Sequence, residues 1–475
     1  SGMLHDAGKT STSIRPAHLK SYREVRGIAA ALGHRDPLEY WKASPYLLNF
    51  MEKGSYKLKV QLESHSASGT AEAVKAVHNS RYCLIRRDDW SAYKEIPACH
   101  PLMERLLEET IDSGWWQLLW IPPSLPYYQL GGAFSNIDKP RMTKRLVFSS
   151  WHMVPRAIAI LVSYEVERRI MKRGNPDAKN TPDATERKRR LLRFSSSENR
   201  LANMPVWAMM YPCLTLSEVG RKQFFHSGSK LASPPTLAEL LLRAASEIQD
   251  LLQPILPTES GSGQKEEWYW AAPILLDRRH HGGATTAFFA EDASLAPEQS
   301  EDSDESSGWK EHAEQARQVA TGNYRPVGQP PADLAEVLAL MAIAGPAICA
   351  LRALTATVDR LDLSTDVEVR RQAGRIAWGL KSLFNTPESA ALLFGKPYWR
   401  SVLDYCASGC LQGVLDEYLH VLLESEGLTG KKPQEATQRL AEVVAEASSM
   451  RAATPGLDWV EMNNSGRLDI ENQRV

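Results

Sequence analysis

Apolar residues recur at helical spacing over much of the chain, and the clearest pattern lies in residues 144–173. The short apolar run 146–148 predicts a strand, and the polar residues 149–152 predict a loop. Pro155 suits the first turn of a helix, because its ring fixes φ and its missing N–H has no helical acceptor there. This unit therefore predicts a strand, a loop and a helix that packs on a sheet. The apolar stripe of the helix, at a spacing of four, is Val154, Ile158, Val162, Val166 and Ile170.

Charged residues occupy the rest of this helix and continue beyond it. Glu165 is expected to pair with Arg168 and Arg169 on the face opposite the apolar stripe. From 168 to 193 the chain carries ten Lys or Arg residues against three acidic ones. Such a run is usually a solvated helix face, but it can equally contact the phosphates of nucleic acid. The residues alone leave both interpretations open.

A helical period dominates the C-terminal third of the chain. Gly345 and Pro346 interrupt its first helical stretch and predict a kink. Short breaks at 385–387 and 395–397 favour antiparallel neighbours, so the region predicts a helical bundle. The helical stretches are 333–356, 366–384, 387–393, 397–425 and 433–450.

Shorter segments before this bundle predict both helices and strands. The Gly/Ser-rich stretch 257–265 reads as a linker. Residues 291–307 carry seven acids and no Lys or Arg, and we expect them to be disordered because little apolar surface offsets their conformational entropy. Helices are expected at 22–32, from 36 onward, at 101–113 and at 236–252. A strand is expected at 115–121 and a buried strand at 204–213.

Together these patterns predict an α/β plus α fold, with a short sheet followed by a large, mostly helical bundle. Four segments are expected along the chain. They are a helical connecting segment (1–100), a lobe with the strand, helix and basic stretch (101–256), a linker with an ordered segment at 268–277 and the acidic loop (257–331), and the helical bundle (332–475).

Composition places the chain among soluble globular proteins. It is 43% hydrophobic and 24% charged with a net charge of −1, so no overall charge directs it to nucleic acid. The six cysteines form no CxxC pair, which favours reduced thiols over a disulfide framework. The longest uncharged apolar run, 337–351, is too short to span a membrane, and the polar N-terminus carries no secretory signal. We therefore expect a cytoplasmic protein without a membrane contact.

One stretch is more specific in its residues than in its secondary structure. FSSWHMVPRAIAILVSYE (148–165) resembles the fourth motif of SNF2-related superfamily 2 helicases, which opens their second RecA-like lobe. More narrowly, the chain resembles large bacterial helicases of phage-defence and phospholipase-D-associated gene clusters. These stretches indicate ancestry rather than activity, because none is a catalytic signature. The others that share the resemblance are DPLEYWKASPYLLNFM (36–51), WYWAAPILLD (268–277), WGLKSLFNTPES (378–389) and PYWRSVLDYCASGCLQGVLDEYLHVLLESEGL (397–428).

Several short motifs imitate catalytic or metal sites but lack the residues that these sites need. Residues 8–10 read Gly-Lys-Thr, yet a phosphate-binding loop requires a glycine where Met3 stands. His280 and His281 are adjacent, so they cannot both face one metal ion from a regular element. Residues 416–420 imitate the acidic box of helicases, but they lie in a helical pattern and the true box ends a strand. We therefore predict no catalytic residue and no metal site.

The resemblance implies that 101–256 is part of a second RecA-like lobe and that 332–475 is its helical insertion. In such helicases ATP and Mg²⁺ lie between two lobes, which together supply a phosphate loop, an Mg²⁺ carboxylate and arginine fingers. The chain lacks the loop and the box, so it is expected not to hydrolyse ATP when isolated. ATP and Mg²⁺ are implied only for a complete helicase. The implied partners are DNA or RNA, the other helicase lobe and defence-system proteins.

The resemblance and the basic stretch together predict a nucleic-acid surface. The implied function is a subregion of an ATP-dependent DNA helicase or translocase that handles nucleic acid without its own ATP hydrolysis. The alternative is a non-catalytic helical interaction scaffold of helicase ancestry. The residues expected to contact nucleic acid are Ser149, Trp151, His152, Lys172, Arg173, Arg187, Lys188, Arg189 and Arg190.

Overall fold

The computed structural model describes residues 13–68, 71–119, 121–122, 124–136, 146–181, 191–197, 200–225, 234–257, 265–290, 303–395, 397–449, 456–465 and 467–474. Most of these residues are helical, in agreement with the predicted helical bundle, and the strands among them form two antiparallel pairs. The four segments expected from the sequence do not coincide with the compact units of the structure. Unit 1 comprises Ser1–Gln117, Ile137–Arg187 and Arg451–Val475, and unit 2 comprises Leu118–Asn136 and Lys188–Met450.

The α-helices in chain order are α1 (Pro16–Ala31), α2 (Leu38–Ala43), α3 (Leu47–Phe50), α4 (Lys57–Ser68), α5 (Ala71–His78), α6 (Arg87–Ser91), α7 (Pro101–Glu109), α8 (Gly132–Ser135), α9 (Met153–Gly174), α10 (Met204–Met210), α11 (Leu214–Phe225), α12 (Leu237–Leu252), α13 (Trp268–His280), α14 (Gly282–Ala290), α15 (Ser303–Thr321), α16 (Leu334–Ala344), α17 (Pro346–Thr357), α18 (Val367–Phe384), α19 (Pro387–Leu392), α20 (Tyr398–Ser408), α21 (Leu411–Ser425) and α22 (Pro433–Ser449). Short 3₁₀ turns lie at Trp115–Leu118, Gln253–Ile255 and Leu361–Thr365. The strands are β1 (Ser195–Ser197), paired with β2 (Arg200–Ala202), and β3 (Gly456–Met462), paired with β4 (Leu468–Arg474).

The core of unit 1 joins the N-terminal helices, α9 and the C-terminal hairpin β3–β4. Helix α3 is wholly buried and packs on both α9 and β3. Asn49 of α3 donates its side-chain amide to the carbonyl oxygen of Asp458 at 2.9 Å and accepts from the backbone N–H of Ile85 at 3.0 Å. The buried Lys59 ammonium lies 2.8 Å from a carboxylate oxygen of Asp458. Buried polar contacts therefore fix the hairpin in unit 1.

Helix α9 confirms the predicted helix, but the strand expected before it is absent. The helix begins at Met153, two residues before Pro155. Leu146, Val147 and Phe148 are not in a strand and are 79%, 50% and 88% exposed. A strand needs a neighbour for its backbone N–H and C=O groups, and no described strand pairs with this run. Instead of packing on a sheet formed by that run, α9 packs on α3.

The buried face of α9 is rotated relative to the predicted stripe. Val154 and Ile170 are buried as expected, whereas Ile158, Val162 and Val166 are only half-buried. A strict spacing of four drifts around a helix of 3.6 residues per turn, so alternating steps of three and four keep side chains on the core. The residues buried between Val154 and Ile170 are Ala157, Ile160, Leu161, Tyr164 and Glu165.

A buried histidine makes the stability of unit 1 depend on pH. His100 precedes α7, is 3% exposed, and its Nε2 lies 3.0 Å from the carbonyl oxygen of Lys42. Burial lowers the pKa of His100, the hydrogen bond to Lys42 opposes this shift, and the nearby His18 adds to it. An imidazole with a lowered folded-state pKa takes up its proton more readily when the chain is unfolded. Acidification therefore favours unfolding.

We expect the parent to lose stability relative to His100→Gln as pH falls from about 7.5 to about 5, beginning near the unfolded-state pKa of about 6.5. Each unit by which the folded-state pKa is lowered contributes about 1.4 kcal/mol to this loss. Urea unfolding of both proteins at several pH values measures the difference in free energy of unfolding. A difference that stays constant across this range would contradict the assignment.

Unit 2 is a bundle of helices. Helix α18 packs along α22, α12 along α16, and α17 contacts both α18 and α21. A Cβ on Gly379 of α18 would lie 2.9 Å from the Cα of Ala445, so glycine permits the close approach of α18 to α22. The expected kink at 345–346 separates α16 from α17. The stretch predicted as one helix at 397–425 is two, because Cys410 adopts a left-handed φ of 54° between α20 and α21.

Two predicted strands are helical instead. Residues 204–213 contain α10, whose residues are almost all buried, and residues 115–121 contain the 3₁₀ turn Trp115–Leu118. Both segments are short and apolar, and a buried helical segment presents the same continuous apolar run as a buried strand. Pro205 in the first turn of α10 fits a helix start and not the interior of a strand.

The region 257–331, expected to be a linker, contains helices α13, α14 and α15. The first ten residues of α13, from Trp268 to Asp277, are all buried, so this helix belongs to the core of unit 2. Helix α15 begins at Ser303, and the prediction of disorder is therefore wrong for residues 303–307. The remainder of the acidic stretch, 291–302, lies outside the described residues.

A fully buried ion network joins three helices of unit 2. Arg370 of α18 and Asp277 of α13 are both 0% exposed, with 3.3 Å between Nη2 and Oδ2. Asp277 also accepts from the backbone N–H groups of Leu214 at 2.9 Å and Thr215 at 2.8 Å, at the start of α11. The Tyr211 hydroxyl donates to the same carboxylate at 2.9 Å. The carboxylate thus fixes the N-terminal end of α11 against α13 and α18.

One described stretch, Leu334–Thr357, is long and apolar enough to span a membrane by length and composition. However, 83% of its most apolar window is buried inside the protein, as in the core helices of soluble proteins. The break between α16 and α17 confirms the predicted kink in this segment. The cysteines are buried and unpaired, in line with the predicted reduced thiols: Cys83, Cys99, Cys213, Cys349, Cys406 and Cys410.

Candidate functional site

The residues expected to contact nucleic acid begin just before α9. Ser149 is exposed, and its Oγ accepts from the backbone N–H of Trp151 at 3.1 Å. The half-buried Trp151 ring stacks on Tyr56, with 6.0 Å between ring centroids, and meets the edge of Tyr40 at 5.4 Å. His152 is exposed. Ser149 and His152 are therefore accessible, while Trp151 is partly engaged by aromatic residues of unit 1.

Lys172 and Arg173 lie at the other end of α9. The Lys172 ammonium donates to the carbonyl oxygen of Pro176 at 2.6 Å, and the Arg173 guanidinium donates to the Gln117 side chain at 3.0 Å. A helical rise of about 1.5 Å per residue separates His152 from Lys172 by about 30 Å. The structure therefore does not bring the two groups into one cluster.

Between these ends, acidic residues neutralise two further arginines of α9, Arg168 and Arg169. Glu165 accepts from the Nε atoms of Arg168 and Arg169, each at 2.7 Å, as predicted. Burial would raise the pKa of Glu165, but the hydrogen bonds from the two arginines outweigh it and lower that pKa. Arg169 also pairs with Asp112. These two arginines are structural, and Glu165 is buried instead of lying on the exposed face.

The remaining predicted residues, Arg187, Lys188, Arg189 and Arg190, lie outside the described residues, as does the Gly-Lys-Thr sequence at 8–10. Contact of the basic run with nucleic acid stays a prediction.

Unit 2 contains a cavity of about 340 Å³, which we call the unit 2 cavity. Its volume falls in the range of small-molecule sites, roughly 300–1,000 Å³. It lies against α11, the end of α17 with the turn that follows it, and the start of α21. The lining side chains with the most distinctive chemistry are Tyr127, Arg221, Phe224, His281, Arg352 and Asp416.

Helix α11 forms one wall of the unit 2 cavity. Leu214, Ser217, Arg221 and Phe224 line it at alternating steps of three and four, which places them on one helix face. The close packing of this helix depends on Gly220, where a Cβ would lie only 2.2 Å from the carbonyl oxygen of Ala342. The position of the wall is thus set by a glycine contact and by the Asp277 carboxylate described above.

Arg352 of α17 forms a buried part of the lining. It is 6% exposed and donates to the carbonyl oxygen of Ala342 and to the side-chain oxygen of Gln412, each at 2.7 Å. Its guanidinium carbon lies 5.2 Å from the centroid of the Phe224 ring. Across the described ranges no carboxylate oxygen lies within 4.0 Å of this guanidinium. The Arg352 charge therefore lines the cavity without a direct ion pair, and it helps to oppose the rise in the pKa of Asp416.

Asp416 of α21 adds an acidic group beside an aromatic pair. Its Oδ2 accepts from the Tyr127 hydroxyl at 2.7 Å, and its Oδ1 accepts from the Gln412 amide at 2.8 Å. Burial raises the pKa of Asp416, while the hydrogen bonds from Tyr127 and Gln412 oppose the rise. The Tyr127 ring stacks on Phe224, with centroids 4.8 Å apart and planes 25° apart. An aromatic surface and a hydrogen-bonding group thus lie together.

The other charged lining residues are less buried. The Nε2 atom of His281 lies 3.5 Å from a carboxylate oxygen of Glu218, whose side chain is 54% exposed. Arg221 is exposed and, within the part of the chain that the structure describes, its side chain makes no hydrogen bond or ion pair. The described residues contain no group of three or more His, Cys, Asp and Glu suited to a metal ion. The chemistry of the cavity is therefore that of guanidinium, carboxylate, hydroxyl and aromatic groups.

The sequence points to His281 and Asp416 only through motifs that imitate a metal site and a nucleotide-hydrolase box, and it does not indicate that they share a cavity. It also gives no direct sign of Arg221 or Phe224. One signal was present for Arg352, which directly follows the uncharged apolar run 337–351. A charge in such a buried setting requires polar partners, and polar partners inside a bundle often line a site.

No family model, no curated protein and no solved structure matches the chain.

Proposed function

We propose that the chain is a nucleic-acid-handling part of an ATP-dependent DNA helicase or translocase and does not hydrolyse ATP by itself. The observation that carries the proposal is the exposed apolar run 146–148, directly before α9, with Leu146 79% and Phe148 88% exposed. In a RecA-like lobe such a run is an inner strand of a parallel sheet, covered on both faces. In a complete RecA-like lobe, neighbouring strands would cover residues 146–148. The same residues lead into the stretch that resembles the fourth helicase motif.

Basic residues support the nucleic-acid part of this proposal. Lys172 and Arg173 end α9, and the run 187–190 follows in the sequence. Lys and Arg that contact phosphates give binding that is independent of sequence and weakens with salt. The partners that the helicase resemblance implies are DNA or RNA, the other helicase lobe and defence-system proteins in the cytoplasm.

The described residues contain no helicase-type site for ATP with Mg²⁺. Within them there is no group of three carboxylate or other ligands for a metal ion. A complete helicase would bind the nucleotide between its lobes, with phosphate-binding and acidic motifs that the sequence does not contain. We assign no step of ATP hydrolysis to this chain.

A second candidate is a non-catalytic helical interaction scaffold of helicase ancestry. The observation that favours it is the strand pairing, because the described strands pair only antiparallel whereas a RecA-like lobe has a parallel sheet. A scaffold would bind proteins and show no salt-dependent affinity for DNA. The two candidates therefore differ in one measurement.

We expect the purified chain to bind unrelated DNA duplexes with similar affinity and with a steep dependence on salt. Replacing Arg187, Lys188, Arg189 and Arg190 with glutamine should lower the slope of log affinity against log salt by about 0.9 for each lost phosphate contact. The melting temperature should change little, because charges that meet phosphates in solution contribute little to folding. Fluorescence anisotropy over a salt series, with two unrelated duplexes, measures both effects.

The matched control replaces four exposed basic residues elsewhere in the chain with glutamine: Arg23, Arg26, Lys53 and Lys57. Both variants have the same net charge. An equal decrease in the salt-dependence slope of the two would therefore indicate attraction of DNA by overall charge and not contact of residues 187–190 with phosphates. A parent chain that binds no DNA at low salt would reject the nucleic-acid proposal and favour the scaffold.

ATP turnover should be undetectable with or without DNA. Turnover that is lost in Lys9→Ala would show that the sequence at 8–10 is active.

A further inference from the structure

We infer that the unit 2 cavity binds a nucleotide, with its base against the aromatic pair Tyr127 and Phe224 and its phosphate against Arg221. This inference goes beyond the proposed function, because it concerns a small-molecule site in unit 2 and not α9 or the basic run. It rests on three features that line the same cavity: stacked aromatic rings, a carboxylate with hydrogen-bonding capacity left, and two guanidinium groups that have no carboxylate oxygen within 4.0 Å among the described residues.

The aromatic end of the cavity suits a nucleobase. Nucleobases stack on aromatic side chains, and Tyr127 and Phe224 already lie nearly parallel at 4.8 Å. Asp416, beside them, accepts one hydrogen bond on each oxygen, and a carboxylate has about four acceptor positions. It can therefore accept further hydrogen bonds from the amino group or ring N–H of a base. An apolar ligand would leave this half-buried carboxylate without such a donor.

The Arg221 guanidinium suits the phosphate. Arg221 has no partner within the described ranges, whereas the N–H groups of Arg352 are already engaged by neutral partners, so Arg352 contributes only its charge. A guanidinium can donate two parallel hydrogen bonds to a phosphate, and this pairing is among the strongest available to a protein. The acidic residues Glu218 and Asp359 also line the cavity, but both are exposed, so water screens their repulsion of an anion. The exposed arginine can therefore meet a phosphate at the mouth of the cavity.

Size and the remaining lining residues agree with a mononucleotide. A cavity of about 340 Å³ lies at the small end of the range of ligand sites, which excludes a folded peptide segment. Hydroxyl groups of Ser217, Ser364 and Thr365 also line it and provide partners for a sugar. A bare metal ion is not supported, since the described residues contain no group of three metal ligands.

Calorimetric titration of the whole chain with AMP, GMP, adenosine and inorganic phosphate tests the inference. At least one of the two nucleotides should bind more tightly than adenosine and than phosphate, because only a nucleotide engages both ends of the cavity. Absence of binding by AMP and GMP at millimolar concentration would overturn the inference. Phosphate binding as tight as nucleotide binding would also overturn it, by showing a simple anion site.

Two variants separate the ends of the site. Arg221→Gln should weaken the binding of the preferred nucleotide by about tenfold and leave adenosine binding unchanged. Phe224→Leu should weaken nucleotide and adenosine alike, by at least about fivefold. The matched control is Arg243→Gln, an exposed arginine of α12 that does not line the cavity and whose loss should change nothing. Equal loss of affinity for nucleotide and adenosine in Arg221→Gln would reject the phosphate contact, and unchanged melting temperatures exclude misfolding as the cause.

A free nucleotide and a nucleotide within a strand share this chemistry, and a trinucleotide distinguishes them. Tighter binding of the trinucleotide than of the mononucleotide identifies a strand as the source, whereas equal or weaker binding identifies a free nucleotide. The variant lacking the four charges at 187–190 should bind the mononucleotide like the parent. Mononucleotide binding is thus expected even if residues 187–190 do not contact DNA.

Discussion

Replacing Asp277 with alanine is expected to lower the free energy of unfolding by about 3–5 kcal/mol, because removing one partner of a buried ion pair leaves the other charge uncompensated. The charge left behind is Arg370, which is 0% exposed. The backbone N–H groups of Leu214 and Thr215 would also lose their acceptor at the start of α11. Urea denaturation followed by tryptophan fluorescence measures the loss.

A double-mutant cycle shows whether the loss comes from the pair. Replacing both Asp277 and Arg370 with leucine removes both charges, together with the buried Arg370 Nε–H that has no acceptor among the described residues. The double variant should therefore be less destabilised than the sum of the two single leucine variants. Glu435→Ala, which breaks an exposed pair with Lys431, serves as the control and should change stability far less. A loss in Asp277→Ala no larger than in this control would contradict the assigned role.

The second large effect is expected in unit 1, where Lys59→Met should also lower the free energy of unfolding by about 3–5 kcal/mol. Burial lowers the pKa of Lys59, and the ion pair with Asp458 opposes this shift. Removing the ammonium leaves the Asp458 carboxylate, 8% exposed, without its cation. Because Asp458 belongs to β3, hydrogen exchange of the hairpin amides should accelerate together with the loss of global stability.

The control for this prediction is Arg87→Ala, which removes a partly exposed cation of α6 that pairs with the same hairpin. Arg87 lies 2.6 Å from Glu471 of β4, and the two side chains are 37% and 59% exposed. Exposed pairs of this kind contribute little to stability, so exchange of the hairpin amides should stay close to that of the parent. Equal acceleration in Arg87→Ala and Lys59→Met would show that burial of the pair is not what matters.

Helices with one apolar face and clear end signals could be predicted from the sequence. Thr236 and Glu239 form a capping box at the start of α12, and the predicted helix 236–252 matches it closely. Asp366 caps α18 in the same way, by accepting from two backbone N–H groups of its first turn. These signals are local, so the sequence contains them.

The strand predictions were wrong because strand formation depends on pairing with segments that are distant in the sequence. Residues 204–213 and 115–121 are short and apolar, and no period separates a buried strand from a buried helical turn. Residues 146–148 have the composition of a strand but no neighbour in the described structure with which to pair. The hairpin β3–β4 was missed, because it follows the last predicted helical stretch within the segment 332–475, which was expected to be a helical bundle. Strand formation depends on partners distant in sequence, and one chain without an alignment does not name them.

The candidate site divides in the same way. The pairing of Glu165 with Arg168 and Arg169 was predictable, because residues three and four apart are neighbours on a helix. The meeting of Phe224, Arg352 and Asp416 was not, because these residues come from three helices far apart in the sequence. Only the packing of the bundle brings them together.

The order in which the chain is synthesised has a consequence for unit 1. This unit is assembled from three separate segments, and the hydrogen bond from Asn49 to Asp458 closes a loop of 409 residues. Residues 188–449 leave the ribosome before the hairpin, so unit 2 can form while Lys59 and Asn49 still lack their partners. Loop closure costs more entropy as the flexible length grows, and a folded unit 2 shortens that length. Early folding of the inserted unit would therefore assist the last step, in which the final strands complete the core begun by the first helices.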